Sequence, residues 1–151
     1  MLLLAPCAFA GYYLGGNIGA LQLPGDKLGA VSGAGLKAGY RLDPHLALEG
    51  RLAMALPAVE GYGTPYQLGL LARISLLTDD VRPYLLLGPS WVDLRDRQDG
   101  GALSSASIGA TFGLGLSLHV RDTSLQFEYL RWLDAADNAI GSVNLALVRE
   151  F

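Results

Sequence analysis

The sequence predicts an all-β chain, folded as an eight-stranded antiparallel up-and-down barrel that crosses a membrane. Three observations carry that expectation. Apolar residues alternate with small or polar ones, with period two, in most of the extended segments of the 151-residue chain. Turn signals cut it into eight such segments, and the connections between them are alternately long and short. The apolar face is the larger of the two, while the other holds the glycines and the few charges.

Composition narrows the choice further. Hydrophobic residues make up 51% and charged residues 17%, which excludes a disordered chain, since disorder needs low hydrophobicity and high net charge. A formal charge of −3 leaves no basic footprint, so nucleic acid is not an expected partner. Twenty glycines and seven prolines oppose a helical bundle, where each internal glycine costs about 1 kcal/mol relative to alanine. A single cysteine, Cys7, supports neither a disulfide framework nor a cysteine zinc site.

Residues 1–10 are apolar and end in Ala8-Phe9-Ala10. They fit the core and cleavage site of a secretory signal peptide without its basic start. Pro6 before Cys7 is a poor match to a lipoprotein box. The barrel is expected over residues 11–151. Its first strand, 11–22, contains Gly11, Gly15, Gly16 and Gly19, which break any helix through Met1–Gly25. The second is expected at 30–42 and the third at 45–55, joined by the tight Asp43-Pro44 turn. In the third, Leu46, Leu48, Leu52 and Met54 oppose Ala47, Glu49 and Arg51. The fourth, 65–77, sets Leu68, Leu70, Ala72, Ile74 and Leu76 against Gln67, Gly69, Arg73 and Ser75. Thr78-Asp79-Asp80 then leads into the fifth, 81–94.

The sixth strand, 104–119, needs a decision, because Gly100–Val120 is charge-free and long enough to span a bilayer as a helix. Its centre alternates instead: Ile108, Ala110, Phe112, Leu114, Leu116 and Leu118 against Gly109, Thr111, Gly113, Gly115, Ser117 and His119. After Arg121-Asp122-Thr123 the seventh strand, 124–134, opposes Leu125, Phe127 and Tyr129 to Gln126 and Glu128. The eighth, 139–151, opposes Val143, Leu145, Leu147 and Phe151 to Ser142, Asn144, Ala146 and Glu150. Each strand reaches the ~9–11 residues that a tilted membrane crossing needs.

The leucine-rich face is too large for the inside of an eight-stranded cylinder, which only just holds its own side chains. It is therefore expected to point outward, with the polar face inward. Glycines on that inner face are expected to leave room for long charged residues. With the N-terminus taken as periplasmic, Tyr40 and Phe151 fall outward near the tight-turn end, and Tyr66 and Trp91 near the long-loop end. Two such belts suit a barrel in lipid.

At the level of motifs, Gly11-Tyr12-Tyr13-Leu14-Gly15-Gly16-Asn17-Ile18-Gly19 resembles the opening strand of small eight-stranded outer-membrane barrels of the OmpA/OmpX type. So do Lys37-Ala38-Gly39-Tyr40-Arg41-Leu42, Leu46-Ala47-Leu48-Glu49-Gly50, Arg82-Pro83-Tyr84-Leu85 and Phe127-Glu128-Tyr129. The terminal Val143–Phe151, with Val143, Leu145, Leu147 and Phe151 on one face, resembles the C-terminal signal read by the barrel-assembly machinery. Arg149 departs from it, standing where that family usually has an outward aromatic. The resemblance implies the outer membrane of a diderm bacterium, with its lipids and lipopolysaccharide as partners, and a monomer. It also implies a role in envelope integrity or surface interaction, without a cofactor.

Candidate chemistry is confined to the inner face. Lys37, Arg41, Arg51 and Arg73 stand against Glu49, Glu128 and Glu150. Glu49 and Glu128 could be read as acid–base carboxylates, but a narrow lumen must pair its buried charges, and a structural network of Lys37, Arg41, Glu49, Arg51, Arg73 and Glu128 is expected. Arg73 and Glu128 are expected to reach one another across the lumen. His45 and His119 both fall at the tight-turn end, so neither suits a lipid-modifying site facing the external leaflet or a metal centre. The reading is a plugged, non-enzymatic outer-membrane barrel; the alternative is a soluble lipocalin-like barrel holding an apolar ligand.

Overall fold

Period-two alternation with β-branched and aromatic residues on an apolar face is satisfied by strands paired on both sides. The computed structural model describes residues 11–22, 31–56, 66–76, 79–94, 105–134 and 139–151. It contains eight strands: β1 (Gly11–Gln22), β2 (Val31–Arg41), β3 (Leu46–Ala55), β4 (Tyr66–Ser75), β5 (Val81–Leu94), β6 (Ser105–Val120), β7 (Thr123–Asp134) and β8 (Ala139–Glu150). Every boundary lies within two residues of its expected position. Successive strands pair antiparallel, and β8 closes on β1, so no edge is left unpaired. Gly100–Val120 contributes β6 and not a helix. Residues 1–10, and with them the expected signal peptide, lie outside the described residues.

The faces point as expected. Leu14, Ile18, Leu36, Leu48, Leu68, Leu70, Leu87, Leu114, Val143 and Leu147 are exposed on the outside. Lys37, Glu49, Arg73, Gln126 and Glu128 are buried within. On the outer face Tyr40 packs against Tyr12, their ring centroids 4.9 Å apart. Tyr66 meets Trp91 edge-on at 5.2 Å, at the opposite end of the barrel. Phe151 is exposed, with the Arg149 guanidinium carbon 5.5 Å from its ring centroid.

Two expectations about the interior need correction. The apolar residues are not all outside: Leu71, Tyr84, Leu86 and Leu130 form one inner cluster. Val92, Trp132 and Ile140 form another, and Tyr13, Ala47, Ala146 and Val148 a third. The inward glycines, moreover, make room for neutral neighbours and not for long charged residues, and at two positions that neighbour is a tyrosine. A Cβ at Gly39 would collide with the Tyr13 ring, and one at Gly115 with the Tyr84 ring. Each ring lies over backbone that only glycine leaves free. Gly39→Ala is accordingly expected to cost about 1–3 kcal/mol through overpacking. In a Tyr13→Ala background it should cost far less. Urea unfolding in detergent micelles measures both, and equal costs in the two backgrounds would refute the interlock.

Candidate functional site

Register places two cations side by side. Lys37 on β2 lies directly opposite Arg51 on β3, while Glu49 pairs with Gly39. That arrangement is repulsive unless a carboxylate reaches both, and Glu128 on β7 does so from across the lumen. Lys37 Nζ donates to Glu128 Oε1 at 2.6 Å and to Gln126 Oε1 at 2.6 Å. Arg51 grips Glu128 with two hydrogen bonds of 2.7 Å, the bidentate form that strengthens and orients such a pair. Arg51 Nε also donates to Glu49. The two phenols complete the carboxylates: Tyr13 donates to Glu49 Oε2 at 2.7 Å and Tyr84 to Glu128 Oε1 at 2.6 Å.

Arg73 does not pair with Glu128, contrary to expectation. Its nearest carboxylate is Glu49, with Nη1 4.0 Å from Oε2, and its guanidinium carbon lies 3.8 Å from the Tyr84 ring centroid. It also stands 5.9 Å from the Tyr13 ring centroid. The central layer thus sets three cations against two carboxylates, and the faces of two buried tyrosines soften the excess positive charge.

Arg41 belongs to a different cluster, at the tight-turn rim. It holds Glu150 with bonds of 3.0 and 2.7 Å. His119 Nε2 lies 2.9 Å from Glu150 Oε1, its Nδ1 is 3.3 Å from Ser117 Oγ, and Arg82 Nη1 approaches Nε2 at 3.3 Å. The sequence reading missed this serine–histidine–carboxylate set. Its one signal was that Ser117, His119 and Glu150 share the inward parity on β6 and β8, which flank β7. His45 is separate: its Nδ1 lies 2.9 Å from the Ser75 carbonyl, and Asp43 caps the turn by accepting from the backbone N–H groups of His45 and Leu46.

On the long-loop side of the charged layer the lining is neutral. Thr111 donates to Ser90 at 2.7 Å, Asn144 to Ser142 at 3.0 Å, and Asn17 to Asn144 at 3.4 Å. A cavity of about 30 Å³ remains between Asn17, Arg51, Gln67, Thr111 and Asn144, room for about two waters and no larger ligand.

The sequence model of the outer membrane protein beta-barrel domain matches residues 5–151. The chain belongs to that family. It is an outer-membrane protein, and its outward leucines face lipid. No curated protein matches it in sequence. Solved structures show the same architecture at low identity. The N-terminal β-barrel domain of Pseudomonas aeruginosa OprF superposes with a TM-score of 0.74 at 13% identity, over 94% of this chain and 99% of that one. Neisserial surface protein A gives 0.71 at 18% identity, over 93% and 97%. Ail, the attachment invasion locus protein of Yersinia pestis, gives 0.67 at 17% identity, over 94% and 97%. With the outer membrane as its place, the lipocalin-like alternative falls away. At such identities the likeness is one of fold, and the role must be argued from the residues.

Proposed function

We propose that this family member is a solute-tight, non-enzymatic element of the outer membrane, acting in envelope integrity or through surface contacts at its long-loop end. The N-terminus and tight turns lie on the periplasmic side. The observation that carries closure is the layer of Lys37, Glu128, Arg51 and Glu49, which bridges from the β2–β3 wall to β7. An eight-stranded lumen has little room beyond its own side chains, and breaking such a layer means separating buried, hydrogen-bonded charges.

Catalysis is disfavoured on the same kind of ground. Ser117 is fully buried, and His119 Nε2 is already occupied by Glu150 and approached by Arg82. A substrate carbonyl has no approach to the Ser117 oxygen, which a nucleophile requires. Conductance across planar lipid bilayers tests closure. The refolded barrel is expected to stay at background, and the double variant Lys37→Ala with Glu128→Ala to conduct. Ion-sized steps from the wild-type barrel would overturn the reading.

A further inference from the structure

Strand register explains why the lumen keeps a cavity on the long-loop side of the charged layer. Lys37, Arg51, Gly69 and Ser90 succeed one another across β2, β3, β4 and β5. The next inward row toward the long-loop end is Asn17, Gly35, Ala53 and Gln67, from β1 to β4. Between the two amides of that row stand only a glycine and an alanine, and Arg51 lies one step behind them. The cavity of about 30 Å³ occupies this space, and no described carboxylate lines it.

Several of its lining groups hold hydrogens that no described residue accepts. Arg51 engages three of its five N–H groups, one on Glu49 and two on Glu128. Ser90, buried over Gly69, accepts from Thr111, and its own hydroxyl hydrogen has no acceptor among the described residues. Gln67 donates to Thr111 at 3.4 Å and has a second N–H beside that one. Amides and hydroxyls present either sign, and Asn17 turns its oxygen over Gly35. The fixed sign comes from Arg51 and from the layer behind it, where three cations face two carboxylates. The tyrosine faces that soften this excess lie against Arg73, not against the cavity. An uncompensated charge held out of water is costly, and an anion beside Arg51 removes the imbalance.

We propose that this cavity binds one halide-sized inorganic anion, such as chloride, which accepts from Arg51, Ser90 and Gln67. Water fills the same volume but brings no charge, so the anion is what balances the layer. It reaches the cavity from the long-loop side and stops at the layer. The site therefore goes beyond the solute-tight reading and does not depend on it.

The test uses the full chain refolded in dodecyl maltoside micelles and unfolded by urea at fixed ionic strength. Sodium chloride is exchanged stepwise for sodium gluconate, whose anion is too large for the cavity. An anion bound only by the folded barrel lowers the unfolding constant in proportion to its concentration once the site fills. A roughly tenfold fall for each tenfold rise in chloride is therefore expected near saturation. Two variants balance the charge without an anion. Gln67→Glu places a carboxylate on the cavity wall, and Lys37→Met deletes one of the three cations. Each is expected to cut the chloride dependence to less than about twofold, while Asp122→Asn, at an exposed turn, keeps it whole. The shift in gel mobility on boiling verifies folding, and either charge-balancing variant alone decides the matter. Location is read with bromide, whose anomalous scattering in crystals of the refolded barrel is expected to peak among Arg51, Gln67 and Ser90. Stability indifferent to chloride overturns the site. So does undiminished dependence in a folded charge-balancing variant, or bromide found only on the outer surface.

Discussion

Glu128→Gln is expected to lower the unfolding free energy of the barrel by about 3–5 kcal/mol, the range for removing one partner from a buried ion pair. Glu128 accepts from Lys37, from both terminal nitrogens of Arg51 and from Tyr84; Lys37 and Tyr84 are fully buried and Arg51 is largely so. Glutamine keeps the shape but loses the charge, so Lys37 is left with neutral amide oxygens in place of its carboxylate. The mechanism is the desolvation of an unmatched ammonium, not the loss of a contact. Asp122→Asn, at an exposed turn, is expected to fall within about 0.5 kcal/mol of wild type. Urea unfolding in micelles, followed by Trp132 fluorescence, measures the difference. A double-mutant cycle assigns it: Lys37→Met should recover part of the loss in the Glu128→Gln background, and Arg73→Met should not. Equal stabilities for Glu128→Gln and Asp122→Asn would mean that water fills the lumen, and the solute-tight reading would fall with it.

What the sequence made legible was whatever a single strand carries by itself. The alternation through Ile108–His119 is enough to separate a crossing strand from a crossing helix, because the two periods put different residues on the apolar face. Asp43-Pro44 and Arg121-Asp122 locate turns for local reasons, and Arg121 does adopt a positive φ of 58°. The inner apolar clusters were hidden where leucines run together. In Leu70-Leu71 and in Leu85-Leu86-Leu87, the inward residue looks like its outward neighbours, and only register tells them apart. Partners across the lumen were less legible still. Arg73 and Glu128 share a face and a sign relation, but closure of the ring brings Glu128 to Lys37 and Arg51 and leaves Arg73 over Tyr84. The Ser117–His119–Glu150 set depends on strands two places apart, whose relative height follows from tilt and shear and not from composition.

The second large effect lies on the outer face. Leu114→Arg should cost about 2–4 kcal/mol, the range for a guanidinium at the bilayer midplane of such a barrel. Leu114 lies near the middle of β6, between Leu85 and Tyr129 on the neighbouring strands, and points outward. From there an arginine must either lose its hydration or drag water and headgroups inward. Val120→Arg provides the comparison, because Val120 also points outward but ends the same strand at the tight-turn rim. There the guanidinium reaches headgroups along its own stem, and the expected cost is about 0–1 kcal/mol. The contrast discriminates because both substitutions place the same charge on the same strand face and differ only in depth. Unfolding by guanidinium in phospholipid vesicles measures each. If the two variants were equally stable, depth would have no energetic meaning, and the outward leucines would be meeting water and not hydrocarbon.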